Sequence, residues 1–281
     1  IHTYEGKKPY PTPRALETHE IPGIVEDYAR ATRNAREAGF DGVELHGANG
    51  YLIEQFLSPA NNTRTDQYGG SLENRMRFLV QILESIRAEV GYDYCVGIRL
   101  PNEEYIPGGL SPDDIALIAR TVEPYVDYTS LHMGSYWRFY KLLAPMDEPL
   151  GNEMASNAVI TKHLTKPTMV VGRIMTLDLA EHIVGSGQGS MVSMVRALIA
   201  DPELVAKTAA GRAEDVRPCL YSFVCISEIS SGGHIRCTAN PEMGFERELA
   251  VRPAPTAGRV AVVGGGPAGM ECAWRLSRAG H

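Results

Sequence analysis

Apolar positions along the chain alternate between two spacings, one typical of amphipathic helices and one typical of buried strands. Apolar residues three and four positions apart at 72–90, between the N-cap Ser71 and the terminating Gly91, predict a helix. The short apolar run at 96–100 then predicts a strand. The predicted helices cover 24–38, 72–90, a segment beginning at Ser111-Pro112, 155–164, 177–184 and 201–210, and the predicted strands cover 43–45, 96–100, 126–131, 168–171 and 191–195.

The strict alternation of strand and helix predicts an α/β fold with a parallel sheet. Five strands do not close a barrel by themselves, so an open, doubly wound sheet is compatible with the periodicity. Residues 1–23 contain four prolines and predict irregular loop.

Composition points to a small-molecule partner. The chain has 281 residues, 44% of them hydrophobic, and a net charge of -7, which argues against a nucleic-acid surface or an anionic membrane as partner. The sequence shows neither a transmembrane span nor a signal peptide, so we expect a cytoplasmic protein. The chain opens on Ile1 and ends at His281 inside a glycine motif, and we therefore expect an interior segment of a longer polypeptide.

Polar side chains gather in the loop after the first predicted strand. His46, Asn49 and Tyr51 lie within six residues of one another, directly after the run at 43–45. Polar groups at the end of a parallel strand predict a catalytic site. From the residues alone, the same groups could also cap a turn and pack in the loop wall.

This loop and the segment after it resemble a known signature. The run His46-Gly-Ala-Asn49-Gly-Tyr51, followed by Arg64-Thr-Asp-Gln-Tyr-Gly-Gly-Ser-Leu-Glu-Asn-Arg75, is similar to the signature of the old yellow enzyme family of FMN-dependent oxidoreductases. The resemblance implies a TIM (β/α)8 barrel, with strands four to eight in residues 1–213. It also implies that His46 and Asn49 hold a substrate carbonyl oxygen while Tyr51 protonates Cα, as enolate chemistry requires.

Arginines at predicted strand ends suggest where the flavin binds. TIM barrels commonly bind phosphate after strands seven and eight, so the FMN phosphate is expected at the predicted ends of the last two strands. Arg99 matches the family arginine near the flavin pyrimidine edge, where a positive charge would stabilise the reduced ring. Any single arginine could equally form a surface ion pair. The expected phosphate-site residues are Gly172, Arg173, Val195 and Arg196.

Three of the five cysteines lie in the segment 214–257. Cys219, Cys225 and Cys237, after the barrel, resemble the [4Fe-4S] segment of the family branch that includes bacterial dienoyl-CoA reductases and trimethylamine dehydrogenase. That segment uses four cysteines, and Ser222 stands at one expected cysteine position. The three thiols are therefore either cluster ligands or structural cysteines. The remaining two, Cys95 and Cys272, are expected in the core.

A glycine motif follows at 258–281. The apolar run 259–263 predicts a strand, and a glycine-rich turn leads from it into a helical stretch, as at the start of a Rossmann-type nucleotide-binding domain. The glycines Gly264, Gly266 and Gly269 would let a pyrophosphate approach the helix N-terminus. FAD, NAD(P) and ADP are not separated, because the acidic residue that would bind the ribose lies beyond His281.

The predicted function is an FMN-dependent oxidoreductase that reduces the C=C bond of an α,β-unsaturated carbonyl or enoyl-CoA substrate with electrons from NAD(P)H. The alternative is an amine dehydrogenase or N-demethylase, which the cysteine spacing favours, whereas His46 and Asn49 favour carbonyl recognition. A non-enzymatic electron-transfer scaffold would not need these polar side chains. His132, near the end of a strand, is expected either to face the substrate or to be a core histidine.

Overall fold

The computed structural model of the protein describes residues 12–281 and, before them, the backbone of two short antiparallel strands, β1 (His2–Thr3) and β2 (Gly6–Lys7). Of the loop predicted at 1–23, residues 12–17 have no regular secondary structure, Thr18–Glu20 form one 3₁₀ turn, and residues 1, 4, 5 and 8–11 lie outside the described residues. The first helix begins at Ile21, three residues earlier than predicted, with Pro22 in its first turn. No helix in the described part of the chain is long and apolar enough to cross a membrane.

Five parallel strands form the main sheet, in the order in which they occur along the chain. A doubly wound sheet reverses its strand order at a switch point, and this sheet does not. The arrangement confirms the predicted parallel α/β fold and is consistent with part of a TIM barrel. The strands are β3 (Gly42–His46), β4 (Cys95–Pro101), β5 (Tyr128–His132), β6 (Thr168–Val170) and β7 (Met191–Val192).

Helices separate successive strands, and the predicted caps are in place. The Ser71 hydroxyl accepts the Asn74 N–H, and Ser111 forms a reciprocal capping box with Asp114. The described helices are α1 (Ile21–Glu37), α2 (Leu52–Leu57), α3 (Leu72–Val90), α4 (Pro112–Val122), α5 (Phe139–Leu142), α6 (Met154–Thr161), α7 (Leu177–Gly185), α8 (Val195–Ala200), α9 (Leu204–Ala209), α10 (Val224–Ser230) and α11 (Pro267–Arg278).

The two faces of the sheet differ in polarity because strand side chains alternate in direction. Ile98 and Leu131, on one face, are fully buried in the main apolar core, to which α1, α3 and α4 also contribute. Burying a side chain of this size stabilises the fold by about 1.5–3 kcal/mol. The other face carries Glu44, Arg99 and Ser130, joined by an ion pair and a hydrogen bond. The polar face is therefore the one available for chemistry.

The end of the sheet differs from the prediction. Strand β7 stops at Val192, because its partner β6 ends at Val170 and the register pairs only two residues of each strand. Val195 and Arg196 therefore begin helix α8 instead of ending a strand.

Three further predictions are corrected. Residues 259–263 form no strand, because no other strand of the described residues pairs with them, and Val263 is 99% exposed. Cys95 is exposed rather than buried because it is the first residue of β4. Cys272 is exposed because α11 has no buried residue.

Candidate active site

The loop after β3 is held against its neighbours by backbone contacts. The Gly47 N–H donates to the Arg99 carbonyl at 2.8 Å, and a Cβ on Gly47 would lie 2.9 Å from that oxygen, so only glycine fits. Asn49 has a left-handed backbone (φ 61°) and forms an isolated bridge with Ser135, which follows β5. These contacts fix the loop relative to the ends of two other strands.

All three predicted catalytic side chains face one cavity of about 320 Å³. The rings of His46 and Tyr51 lie 4.8 Å apart between centroids, tilted by 52°. The structure thus brings together the residues expected to bind a carbonyl oxygen and to supply a proton. The remaining walls come from the segment after β5 and from α10, and they comprise Tyr136, Phe139, Leu142, Leu143, Ile226, Ile229 and Ser230.

His46 is an exposed hydrogen-bonding group of this cavity. Partial desolvation lowers the pKa of its imidazole, and the positive charge of Arg99 lowers it further. Arg99 itself lies beside His46 in the sheet register and forms an ion pair with Glu44 at 2.9 Å. With its pKa below the ordinary value of 6.5, His46 is neutral at pH 7 and can donate a ring N–H without carrying a charge.

The Asn49 side-chain amide has hydrogen-bond partners within the protein. Its amide nitrogen lies 3.0 Å from His132 Nδ1 and donates to the Gly134 carbonyl at 2.9 Å, so both of its N–H groups have acceptors within the protein. Burial lowers the pKa of His132 to about 4, so that imidazole is neutral. Because its Nδ1 accepts from Asn49, its proton lies on Nε2. Asn49 therefore orients His132.

Tyr51 is paired with a second tyrosine that the sequence did not single out. The two hydroxyls of Tyr51 and Tyr136 lie 2.8 Å apart, and their rings meet edge to face at 5.8 Å. The phenol of Tyr51 is 44% exposed towards the cavity. The hydrogen bond orients the Tyr51 hydroxyl and offers a neighbouring group that can exchange a proton with it.

A second cavity, of about 300 Å³, adjoins the first and suits a bound phosphate. Arg173 is buried there, and its Nε has no hydrogen-bond partner among the described residues. Arg196 reaches the same cavity from α8. A buried cation with an unpaired N–H is the group that an anion such as the FMN phosphate would satisfy. The two cavities share the wall residues Leu142, Leu143, Ile226 and Ile229.

Gly172 lies between Val171 and Arg173, which both line this cavity. Its backbone has φ 133°, and a Cβ there would lie 2.8 Å from the side chain of Glu153. Glu153 is itself buried and accepts hydrogen bonds from the Met133 N–H and the Asn102 amide. Burial raises the pKa of Glu153 to about 7. Val195, also predicted at this site, lines the cavity but is 64% exposed.

The predicted cysteine ligands surround one small cavity. Cys219, Cys225 and Cys237 are half-buried and line it together with Ser222. Burial raises the pKa of the Cys225 thiol, and the nearby thiols of Cys219 and Cys237 raise it further. No group of three or more His, Cys, Asp or Glu side chains, among the residues that the structure describes, is arranged to hold a single metal ion.

The C-terminal glycines have the geometry that a close turn demands. Gly264 adopts φ 114°, and a Cβ on Gly269 would lie 1.9 Å from the Gly264 carbonyl oxygen. Gly266 is the N-cap residue of α11. The turn therefore depends on glycine at 264 and 269, which is the packing that a dinucleotide-binding turn requires.

Comparison with known proteins identifies the family. Residues 2–215 match the NADH:flavin oxidoreductase / NADH oxidase family. The chain belongs to this family. It is 38% identical to the NADH oxidase of Thermoanaerobacter brockii over 273 residues, which are 96% of this chain and 42% of that protein. Membership confirms the resemblance seen in the signature and makes the protein a flavin-dependent oxidoreductase, with FMN as the flavin that the family supports.

Two solved structures share the architecture. The 2-naphthoyl-CoA reductase complex with 2-naphthoyl-CoA superposes with a TM-score of 0.88 and 34% identity, covering 95% of this chain and 41% of that one. Histamine dehydrogenase from Rhizobium sp. 4-9 gives 0.87 and 32%, covering 95% and 40%. This chain therefore spans about two fifths of the length of these three relatives.

The second half of the flavin oxidoreductase signature, residues 64–75, lies outside the cavity. Arg64 forms an ion pair with Asp66 at 2.6 Å and donates to the Leu16 carbonyl at 2.6 Å. Gly69 packs so closely that a Cβ would lie 2.0 Å from the Arg64 oxygen. Arg75 donates to the Leu57 carbonyl at 2.8 Å, which ties α3 to the end of α2. These contacts tie the signature segment to Leu16 and to the end of α2.

A pair of buried carboxyl groups lies beside the loop that follows β3. Glu54 on α2 is fully buried and accepts the Gly50 N–H at 2.8 Å, while Glu104 is 1% exposed and accepts the Leu110 N–H. One oxygen of each carboxyl has no donor among the described residues. Burial raises the pKa of Glu54 to about 9, and the adjacent Glu104 adds to the shift. A proton shared between the two carboxyls would give both of these oxygens a partner.

We expect Glu54→Gln to change how stability depends on pH. Folding retains a proton on Glu54 that the unfolded chain releases above about pH 4.5, so wild-type stability should fall as pH rises from there to about 9. The slope for one proton is about 1.4 kcal/mol per pH unit. A glutamine supplies a permanent N–H donor to Glu104 and removes that slope. Thermal or urea unfolding at several pH values measures it.

The control for this prediction is Glu26→Gln, an exposed carboxyl on α1. It should retain the wild-type dependence on pH. A Glu54→Gln variant with the same dependence as the wild type would show that the two carboxyls do not share a proton.

Proposed function

We propose that the protein is an FMN-dependent ene reductase, which reduces the C=C bond of an α,β-unsaturated carbonyl or enoyl thioester with electrons from NAD(P)H. The observation that carries this proposal is the convergence of His46 and Tyr51 on one cavity, with ring centroids 4.8 Å apart. The adjoining cavity with Arg173 and Arg196 supports a flavin whose phosphate lies beside them.

The reaction needs a donor for the carbonyl oxygen and an acid for Cα. Bound reduced FMN supplies a hydride to Cβ. The neutral imidazole of His46 donates to the carbonyl oxygen as enolate charge develops there. The Tyr51 hydroxyl protonates Cα, and Tyr136 orients that hydroxyl from 2.8 Å away. Asn49 contributes indirectly, because it holds His132 at the edge of the second cavity.

The phosphate group of FMN would be bound by residues of the second cavity. Arg173 and Arg196 would bind the FMN phosphate as charge-assisted donors, and Gly172 keeps the backbone clear of Glu153. Arg99 would stabilise negative charge on the reduced flavin. Its ion pair with Glu44 offsets part of the positive charge of Arg99 and so weakens this effect.

Two further cofactors belong to the proposal. Cys219, Cys225 and Cys237 would ligate an iron-sulfur cluster, which would supply one-electron chemistry when bound. The turn from Gly264 to Gly269 would bind FAD or NAD(P) at the N-terminus of α11. The division into a barrel at 1–213, a cysteine segment at 214–257 and a nucleotide-binding start at 258–281 is part of this proposal.

The alternative is oxidation of a methylated amine by the flavin. The aromatic rings of Tyr51, Tyr136 and Phe139 in the cavity wall would favour a substrate cation through cation–π contacts. None of the described residues that line this cavity is Asp or Glu, so no carboxylate there neutralises the positive charge of a protonated amine. This absence favours a neutral carbonyl substrate. Anaerobic assays of the full-length protein with enones, enoyl-CoA esters and methylated amines separate the two functions.

Flavin binding should depend on Arg173. The full-length protein is expected to purify yellow and to release FMN when denatured. Arg173→Gln removes a buried charge-assisted contact to the phosphate, and such contacts contribute about 1.5–3 kcal/mol, so the FMN dissociation constant should rise roughly 10- to 100-fold. Fluorescence titration of the apoprotein with FMN measures it, and riboflavin, which lacks the phosphate, should bind both proteins alike.

Arg212→Gln is the matched control. Arg212 is an exposed arginine paired with Asp215 at 3.2 Å, and its replacement should leave FMN affinity unchanged. A colourless full-length protein that FMN does not reconstitute would refute the proposed function.

A further inference from the structure

The cysteine segment places a hydroxyl where a fourth thiol would complete a cluster site. Cys219, Cys225 and Cys237 line one small cavity, and Ser222 lines it with them. The donors are therefore three sulfurs and one oxygen. A four-iron cluster uses one ligand for each iron, at separate corners, so its ligands need not converge on one point as those of a single metal ion do. Three thiols and one hydroxyl match the four corners in number.

The backbone around Ser222 holds its side chain in a defined position. Both neighbours, Tyr221 and Phe223, adopt left-handed conformations with φ 53° and 56°, which non-glycine residues rarely do. The guanidinium of Arg173 stacks on the Tyr221 ring at 4.3 Å, and that of Arg196 lies 5.4 Å from the centre of the Phe223 ring. Each neighbour of Ser222 in this turn is thus held by contact with an arginine.

The hydroxyl of Ser222 has a hydrogen-bond partner that can orient it. Its Oγ lies 2.6 Å from the Thr238 hydroxyl, which follows Cys237 directly. When Thr238 donates this hydrogen bond, it fixes the orientation of the Ser222 oxygen beside the three thiols. Ser222 is exposed, whereas the three cysteines are half-buried, so solvent reaches this corner more easily than the other three.

We propose that the cluster at Cys219, Cys225 and Cys237 has one oxygen-ligated iron, bound by Ser222, and that this iron is exchangeable. The inference rests on the cluster included in the proposed function. Oxygen is a harder ligand than thiolate and suits an iron-sulfur cluster less well, so this corner should be the first to lose its iron. With ferricyanide as oxidant, [4Fe-4S]²⁺ would give [3Fe-4S]⁺ and Fe²⁺, while one electron reduces ferricyanide to ferrocyanide.

The experiment compares wild type, Ser222→Cys and Ser222→Ala as full-length proteins reconstituted anaerobically with iron and sulfide. Ser231→Cys, which adds a thiol in the same segment outside the cavity, is the control. Iron and sulfide are measured per protein, and electron paramagnetic resonance spectra are recorded before and after one equivalent of ferricyanide. FMN content is measured in parallel.

The wild type and Ser231→Cys should lose one iron in four and show the signal of an oxidised three-iron cluster. Ser222→Cys should keep all its iron under the same treatment, and Ser222→Ala should carry three irons before any oxidant is added. A wild type as resistant as Ser222→Cys, or a Ser222→Ala variant that matches the wild type, would refute the proposal. So would a wild type without iron, and its FMN content would show separately whether the proposed flavin function holds.

Discussion

Replacing His46 by alanine should slow the oxidation of the reduced enzyme by an enone roughly 100-fold, the scale of losing one donor to a developing oxyanion. The imidazole faces the cavity shared with Tyr51, and its lowered pKa keeps it neutral at pH 7. It therefore donates to the substrate oxygen most effectively when charge builds up there, so the loss should fall on the limiting rate. Stopped-flow absorbance of the flavin, at several enone concentrations, measures that rate.

His163→Ala is the matched control for this measurement. His163 is an exposed histidine just beyond α6 and does not line the cavity. Its removal should leave the rate unchanged. A His46→Ala enzyme that reacts within twofold of the wild type would show that His46 does not stabilise the carbonyl oxygen.

Replacing Tyr51 by phenylalanine should slow turnover by about 100-fold or more, since a positioned acid contributes about 10²–10⁴ to the rate. The substitution removes only the hydroxyl, whose partner is the Tyr136 hydroxyl at 2.8 Å, and it keeps the ring beside His46. Substrate affinity and the flavin spectrum should therefore stay close to those of the wild type. Steady-state turnover, together with spectral titration of the oxidised enzyme with a carbonyl ligand, separates the two effects.

Tyr140→Phe is the control that leaves the cavity intact. Tyr140 lies in the same segment after β5, is 52% exposed and does not line the cavity. It should behave as the wild type does. A Tyr51→Phe enzyme that also behaves so would exclude Tyr51 as the source of the proton.

The two variants also distinguish the competing reactions. Amine oxidation removes a hydride from a C–N bond and leaves no carbonyl oxygen for His46 to stabilise. If methylated amines reduce the oxidised flavin and His46→Ala does not affect that rate, the amine-oxidising alternative replaces ene reduction.

Much of the local structure followed from the sequence, because it depends on neighbouring residues. The helix after Ser71 begins where its N-cap predicts, and the strand at 96–100 is part of β4. The contiguous signature from Arg64 to Arg75 identified the family before any fold was known. Spacing and capping are short-range effects, so they can be read along the chain.

Errors arose where an element depends on a distant partner. The apolar run 259–263 has strand composition but forms no strand, because pairing needs a second strand beside it. Arg196 lies on α8 rather than at a strand end, because β6 stops at Val170 and offers no further partner to β7.

The composition of the site was evident from the sequence, but its connections were set by the tertiary structure. His46, Asn49 and Tyr51 could be named from their motif, and the fold does place them on one cavity. Their partners lie 83 or more residues further along the chain: His132 for Asn49, and Tyr136 for Tyr51. Such contacts exist only because parallel strands end at the same edge of the sheet, so the register between strands decides which side chains meet.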